Sequence, residues 1–179
     1  ARPPHTSGYC SVTLVIPTSA QMEALGLALG EIAQAGDVVV LTGELGAGKT
    51  TFARGFGEAF DLDTPVSSPT FIVARTHRSI DPEKPALVHV DAYRVGSAAE
   101  FDELDLDYST SVVLAEWAAA YAPELFEKWV ELILVRAQGT GEDFDEDQPR
   151  EVSLITHGDA PERSARYHAA MEHFRVSLD

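Results

Sequence analysis

Hydrophobic residues along this chain follow two rhythms. One is the short unbroken run. Asp37 to Leu41 carries three consecutive valines, and Ala86 to Asp91 and Val112 to Ala115 have the same form. Such runs read as strands buried on both faces of a parallel sheet. The other rhythm is helical. Met22, Leu25, Leu29 and Ile32 recur at turn spacing behind Thr18 and Gln21, a pair at capping-box distance, and Gly36 is expected to end that helix. Phe52, Phe56 and Phe60 lie four apart on a second helix, expected from about Lys49 to Phe60, and form a core stripe.

Shorter signals fill the gaps. Ser11 to Ile16 and Phe71 to Thr76 read as strands, the latter joined to Ala86–Asp91 by a polar loop with Pro82 and Pro85. Ser97 and Glu100 form another capping box before a short acidic helix. Val130 to Arg136 and Glu151 to Thr156 form a late strand pair, for which an antiparallel arrangement is open. Asp159 with Pro161 opens a last helix carrying Ala165, Ala169 and Met171. Strands alternate with helices, so the fold class is α/β: a mostly parallel sheet flanked by helices. Residues 1–10 read as a flexible leader, 11–179 as one domain, and 139–148 as an acidic, solvated surface loop.

Between the first valine run and the phenylalanine helix lies Gly43-Glu44-Leu45-Gly46-Ala47-Gly48-Lys49-Thr50, which fits the phosphate-loop pattern at every fixed position. Glycines let the backbone wrap around phosphate with its N–H groups inward, and the following helix adds its positive N-terminal end. Lys49 is expected to stand exposed and reach the β- and γ-phosphates, and the Thr50 hydroxyl to ligate Mg²⁺. Glu44, Leu45, Gly46, Ala47, Gly48 and Thr51 complete the expected nucleotide contacts. Such a loop needs an acid at a neighbouring strand end. Asp91 closes one valine-rich run and Glu116 the other, at the carboxyl ends where open α/β sheets place ligands. One would hold the metal and the other act on water; spacing does not assign the two roles.

Composition narrows the setting. The 179 residues include 13 basic and 29 acidic ones, a net charge of -16, which repels nucleic-acid backbones and leaves any contact with nucleic acid to a partner. One cysteine, Cys10, allows no internal disulfide and too few thiols for a cysteine-based zinc site, which fits a reducing compartment, the cytoplasm. The apolar runs are far shorter than a membrane span, and no signal peptide is visible at the start.

Four segments in order resemble the TsaE (YjeE) family, bacterial ATPases of tRNA threonylcarbamoyladenosine synthesis. They are the loop continued through Thr51-Phe52-Ala53-Arg54-Gly55, then Ser67-Ser68-Pro69-Thr70-Phe71, His89-Val90-Asp91-Ala92-Tyr93-Arg94, and Leu114-Ala115-Glu116-Trp117. The resemblance covers about Thr18 to Trp117. It implies an ATP- and Mg²⁺-dependent ATPase that acts on a TsaB–TsaD partner complex modifying adenosine 37. It also implies that Lys49 and Thr50 serve phosphate and metal, that Glu116 is the metal-side acid and Asp91 a second essential acid. Thr70 would sit in a γ-phosphate-responsive switch, and Trp117 would lie near the nucleotide, with a core aromatic as its alternative. Two other functions share the loop. A small-molecule kinase would need an arginine-bearing lid, and after the phosphate-loop helix only Arg75, Arg78, Arg94 and Arg136 precede the tail. A non-hydrolysing sensor would be expected to lack Asp91 and Glu116.

Overall fold

The alternation of apolar runs and stripes gives seven strands and five α-helices in a computed structural model describing residues 11–44, 46–66, 73–136 and 148–179. The expectations for the 1–10 leader, Leu45, the Ser67–Phe71 segment with Thr70, and all but the last residue of the acidic 139–148 loop fall outside those residues. In chain order the elements are β1 (Ser11–Ile16), α1 (Ser19–Ile32), β2 (Val38–Gly43), α2 (Lys49–Glu58), β3 (Ala74–His77) and β4 (Ala86–Asp91). There follow α3 (Ala98–Asp102), β5 (Ser111–Glu116), α4 (Ala122–Leu125), β6 (Trp129–Arg136), β7 (Arg150–His157) and α5 (Pro161–Ser177).

All seven strands form one sheet in the order β1-β7-β6-β2-β5-β4-β3. The four central strands, β6, β2, β5 and β4, are parallel. Both flanks are antiparallel: β3 on β4, and β7 and β1 beyond β6. The late strand pair is therefore a hairpin. Antiparallel β3 is unannounced by its sequence, because only the polar connection through Pro82 and Pro85 shows that no crossover helix intervenes.

Strand alternation sorts the valine runs between two cores. Val39 and Leu41 join Leu25, Leu29, Phe52, Phe56, Phe60, Tyr167 and Met171 under α1, α2 and α5. Val38 and Val40 face the other way, with Val88, Val90, Val113, Ala115, Phe101 and Ala122. The phenylalanine stripe packs as expected, although α2 ends at Glu58 and Phe60 enters the core from the following turn. Thr18 caps α1 by accepting the Gln21 N–H at 3.2 Å, and Ser97 caps α3 through Glu100 N–H at 3.2 Å.

Two local expectations are corrected. Gly36 does not end α1, which stops at Ile32 with Ala33 as its cap. Gly36 takes its left-handed φ of 95° in the turn into β2. In α5 the buried face is Tyr167, Met171 and Phe174, whereas Ala165 and Ala169 are exposed. The aromatic residues carry most of the apolar area there, so they set the helix's orientation. That helix opens at Pro161 as expected, with Ala160 as its N-cap.

Two contacts fix the helices that matter most. α1 and α2 touch backbone to backbone: a Cβ added at Gly55 would lie 1.9 Å from the Glu23 carbonyl oxygen, and one at Gly26 would lie 2.2 Å from that of Phe52. α5 is tied to the start of β2 by buried Asp37. Its carboxylate meets Arg163 Nε at 2.9 Å and Arg166 Nη1 at 3.2 Å, and accepts the Tyr167 hydroxyl at 2.9 Å. Burial, then the Asp37 charge, pushes the Tyr167 phenol well above its usual range.

Candidate functional site

β2 runs through the middle of the sheet and ends at Gly43, so the loop that follows starts at the carboxyl edge between β5 and β6. Gly43 is required there: an added Cβ would lie 2.7 Å from the Leu134 carbonyl oxygen on β6. Gly46 and Gly48 have φ of 81° and 103°, left-handed values that other residues adopt only with strain. Gly48 is the N-cap of α2 and offers no side-chain cap, which leaves first-turn N–H groups available to an anion.

Lys49 opens α2 but does not stand exposed as expected. It is only 7% accessible. Its Nζ donates to the Gly43 carbonyl at 2.5 Å and lies 3.5 Å from the centroid of the Trp117 ring. A lysine stem long enough to reach phosphate also folds back over its own loop, and the indole covers it. Burial holds the ammonium pKa below the usual lysine range, and the charges of Glu116 and then Asp91 oppose that fall. Thr50, one residue on, is exposed, and Thr51 is half-buried. Glu44 and Gly46 are exposed and Ala47 is buried.

Asp91 and Glu116 close adjacent parallel strands and are register partners. Adjacent strands lie about 4.8 Å apart, so the two carboxyl groups share one stretch of the sheet edge. Their surroundings differ. Asp91 is half-buried and accepts the N–H of Tyr93 at 3.0 Å, which caps the 3-10 turn Ala92–Arg94. Glu116 is buried and accepts from His89 Nε2 at 2.7 Å.

Trp117 is not a core aromatic. It is 39% exposed, has a left-handed φ of 62°, and meets the Tyr93 ring edge-on at 5.3 Å. With Leu41, Thr42, Gly43, Glu44, Ala119 and Ala120 it lines a pocket of about 520 Å³ beside the loop. The left-handed turn therefore falls at a strand end that faces the pocket.

The structure thus gathers Gly43, Glu44, Gly46, Gly48, Lys49, Thr50, Asp91, Glu116 and Trp117 at one edge of the sheet. It adds two residues without an assigned role. His89 lies on the same face of its strand as Asp91, two residues back, so the strand period of two already marked it. Arg150 is buried on β7 and donates to the Gly46 carbonyl at 3.3 Å, 104 residues away in sequence, and no local pattern announces it.

The whole chain can now be set beside known proteins. The family model described as threonylcarbamoyl adenosine biosynthesis protein TsaE matches residues 16–143. The chain belongs to the TsaE family. A relative from Streptomyces coelicolor, named tRNA threonylcarbamoyladenosine biosynthesis protein TsaE, is 48% identical over 121 residues, 66% of this chain and 81% of that protein. The Bacillus subtilis protein of the same name is 35% identical over 120 residues, 65% of this chain and 73% of its own. The crystal structure of Bacillus subtilis YdiB superposes with a TM-score of 0.66 over 97% of this chain and all of that one. At 22% identity that likeness speaks for the fold, a P-loop NTPase-like sheet. In TsaE terms the matched span holds the loop, both acids and Trp117 and stops before Arg150.

The donor set suits a magnesium nucleotide. Among the described residues no group of three or more His, Cys, Asp or Glu is placed to hold a metal alone. A loop of this kind supplies one hydroxyl and one or two carboxylates, hard oxygen donors, and leaves the remaining positions to phosphate and water. No helix of the described residues is long and apolar enough to cross a membrane.

Proposed function

We propose that this chain binds ATP with Mg²⁺ at Gly43–Thr50 and hydrolyses it in support of threonylcarbamoyladenosine synthesis on tRNA, acting on a TsaB–TsaD-type partner complex. The observation that carries the ATP reading is the placement of Lys49. Its ammonium sits between the loop's first carbonyl and the Trp117 ring, within the electrostatic reach of a register pair of carboxylates. A γ-phosphate replaces the Gly43 carbonyl and the indole as its partner. Thr50 through its hydroxyl and Glu116 through its carboxylate would hold the Mg²⁺, which would supply charge neutralisation at the phosphates. Asp91, closer to solvent, orients or deprotonates the attacking water. The family membership supports the place in tRNA modification. The net charge of -16 supports a role through partner proteins rather than through direct tRNA contact.

Titration of a fluorescent ATP analogue tests this. Lys49→Ala is expected to weaken binding at least about a hundredfold, because a charge-assisted phosphate contact is worth about 3 kcal/mol. Glu116→Gln and Asp91→Asn are each expected to stop hydrolysis, with at least one retaining nucleotide affinity. If Lys49→Ala binds like the parent, the loop is no phosphate site. Thr70→Ala should bind ATP like the parent and lose the nucleotide dependence of assembly with TsaB and TsaD. Equal association of the parent in ATP, ADP and nucleotide-free conditions would remove the switch.

A further inference from the structure

Glu116 is held by one side chain, and that side chain is itself unusual. His89 is 2% exposed, on the strand face that otherwise supplies the core with Leu87. It stands opposite Leu114 in the β4–β5 register, so Glu116, two residues further along β5, is its diagonal neighbour on the same face. The Nε2–Oε2 distance is 2.7 Å. The other ring nitrogen, Nδ1, is buried with no hydrogen-bond partner. Burying an imidazole at a core position costs free energy that leucine would not incur, and a histidine kept for structure ordinarily satisfies both nitrogens. Here one contact accounts for the residue, and it goes to the carboxylate that the proposed function assigns to the metal.

We infer that His89 is the positioning residue for Glu116: by donating from Nε2 to Oε2 it fixes the carboxylate so that Oε1 remains for the cation. An ionised carboxylate only accepts, so Nε2 carries the proton. A proton on Nδ1 would be a buried donor without an acceptor. The same bond restrains Glu116 from swinging onto the Lys49 ammonium, which already feels its charge more than that of Asp91. Were that ion pair to close, it would occupy both the metal's carboxylate and the phosphate's lysine. Hydrogen-bonded outer partners of ligating carboxylates typically tune metal affinity 10- to 100-fold. This inference rests on the magnesium-nucleotide reading.

Two measurements on the full chain test it separately from that reading. The first is the binding of a fluorescent ATP analogue, with EDTA and across a Mg²⁺ titration. His89→Leu keeps the volume and removes the donor. It should leave metal-free affinity within about twofold and raise the Mg²⁺ concentration for half-saturation about tenfold or more. His89→Gln places an amide N–H near the Nε2 position and should recover most of that loss. The second is a long-range ¹H–¹⁵N spectrum of the parent's six histidines, with His89 assigned by its absence in the Gln variant. It should show Nε2 protonated and the proton slow to exchange. Equal Mg²⁺ dependence in parent and Leu variant, equal impairment in Leu and Gln variants, or a proton on Nδ1 would each overturn the inference. A parent that binds no nucleotide would overturn the magnesium-nucleotide reading, and with it the metal-positioning role, while the spectrum still decides the hydrogen bond.

Discussion

The Lys49 ammonium donates to a loop carbonyl at 2.5 Å and lies 3.5 Å from the Trp117 ring, two contacts that an incoming phosphate must replace. Moving a cation away from an indole changes that indole's emission. ATP is therefore expected to alter the intrinsic fluorescence of the parent and of a Trp129→Phe variant, and to leave a Trp117→Phe variant nearly silent. A second residue gives a pH signature. His77, fully buried on β3, has its pKa lowered by burial first, then by the charge of Arg75. The folded state thus holds its proton less tightly than the unfolded chain does. In the window below the ordinary histidine value, the unfolded state binds more protons, so stability is present above about pH 6.5 and falls as the pH drops towards the folded pKa. Melting temperatures from pH 7.5 to pH 5.5 should decline, and His77→Leu should flatten that slope. Lys49, Asp91 and Glu116 were legible from the sequence because phosphate chemistry dictates their types and spacing. The cover over Lys49 was not, because it depends on the left-handed turn at Trp117. The strand period placed His89 on the face of Asp91, but its role was not legible until its partner across the sheet was placed.

At the level of elements, two devices hold the helices on the sheet at opposite ends of β2, and only the first bears on the site. The glycine seam between α1 and α2 leaves no room for a methyl group: Gly55→Ala would bring a Cβ to 1.9 Å from the Glu23 carbonyl oxygen. The helices must then separate, which is expected to cost at least about 2 kcal/mol and to weaken nucleotide binding, since α2 begins with Lys49 and Thr50. Denaturant melts with a nucleotide titration check both effects together. Asp37→Ala removes the shared partner of Arg163, Arg166 and Tyr167 beneath α5. Losing one member of such a buried cluster costs about 3 kcal/mol, at the low end because both guanidinium groups are partly exposed. Nucleotide affinity should stay within about twofold, because Asp37 precedes β2 and the loop follows it. The strands β4 and β5 and the phenylalanine helix were readable because their periods are pure. The helix seam was not, since Gly26 and Gly55 read as weaknesses within a helix until the partner backbone is placed against them. Tyr167 and Phe174 outweighed the alanine spacing in α5 for the same reason: periodicity locates a helix, and side-chain size decides which side is buried.

For the molecule as a whole, charge and topology matter most. With 29 acidic against 13 basic residues, tRNA binding by the chain alone at physiological salt is expected to be weaker than about 10⁻⁴ M by filter binding. A tight complex would remove the argument that partner proteins hold the RNA. The α/β class followed from alternation of runs and stripes, while the strand order did not, because pairings between distant segments leave no trace in local periodicity. The outermost of those pairings sets a schedule for synthesis. β1 is made before the other strands, yet among the described residues its strand neighbour is β7, and Thr13 Oγ1 meets Ser153 Oγ at 2.9 Å although the two are 140 positions apart. A growing chain can pair β2, β5, β4 and β3 once residue 116 has emerged, but β1 must wait, with Val12, Leu14 and Ile16 uncovered, until residue 157 is free. The phosphate-binding half can therefore assemble while its first strand is still a tether. Nascent chains arrested at residue 136 should lose the β1 segment to protease, and chains released at full length should keep it.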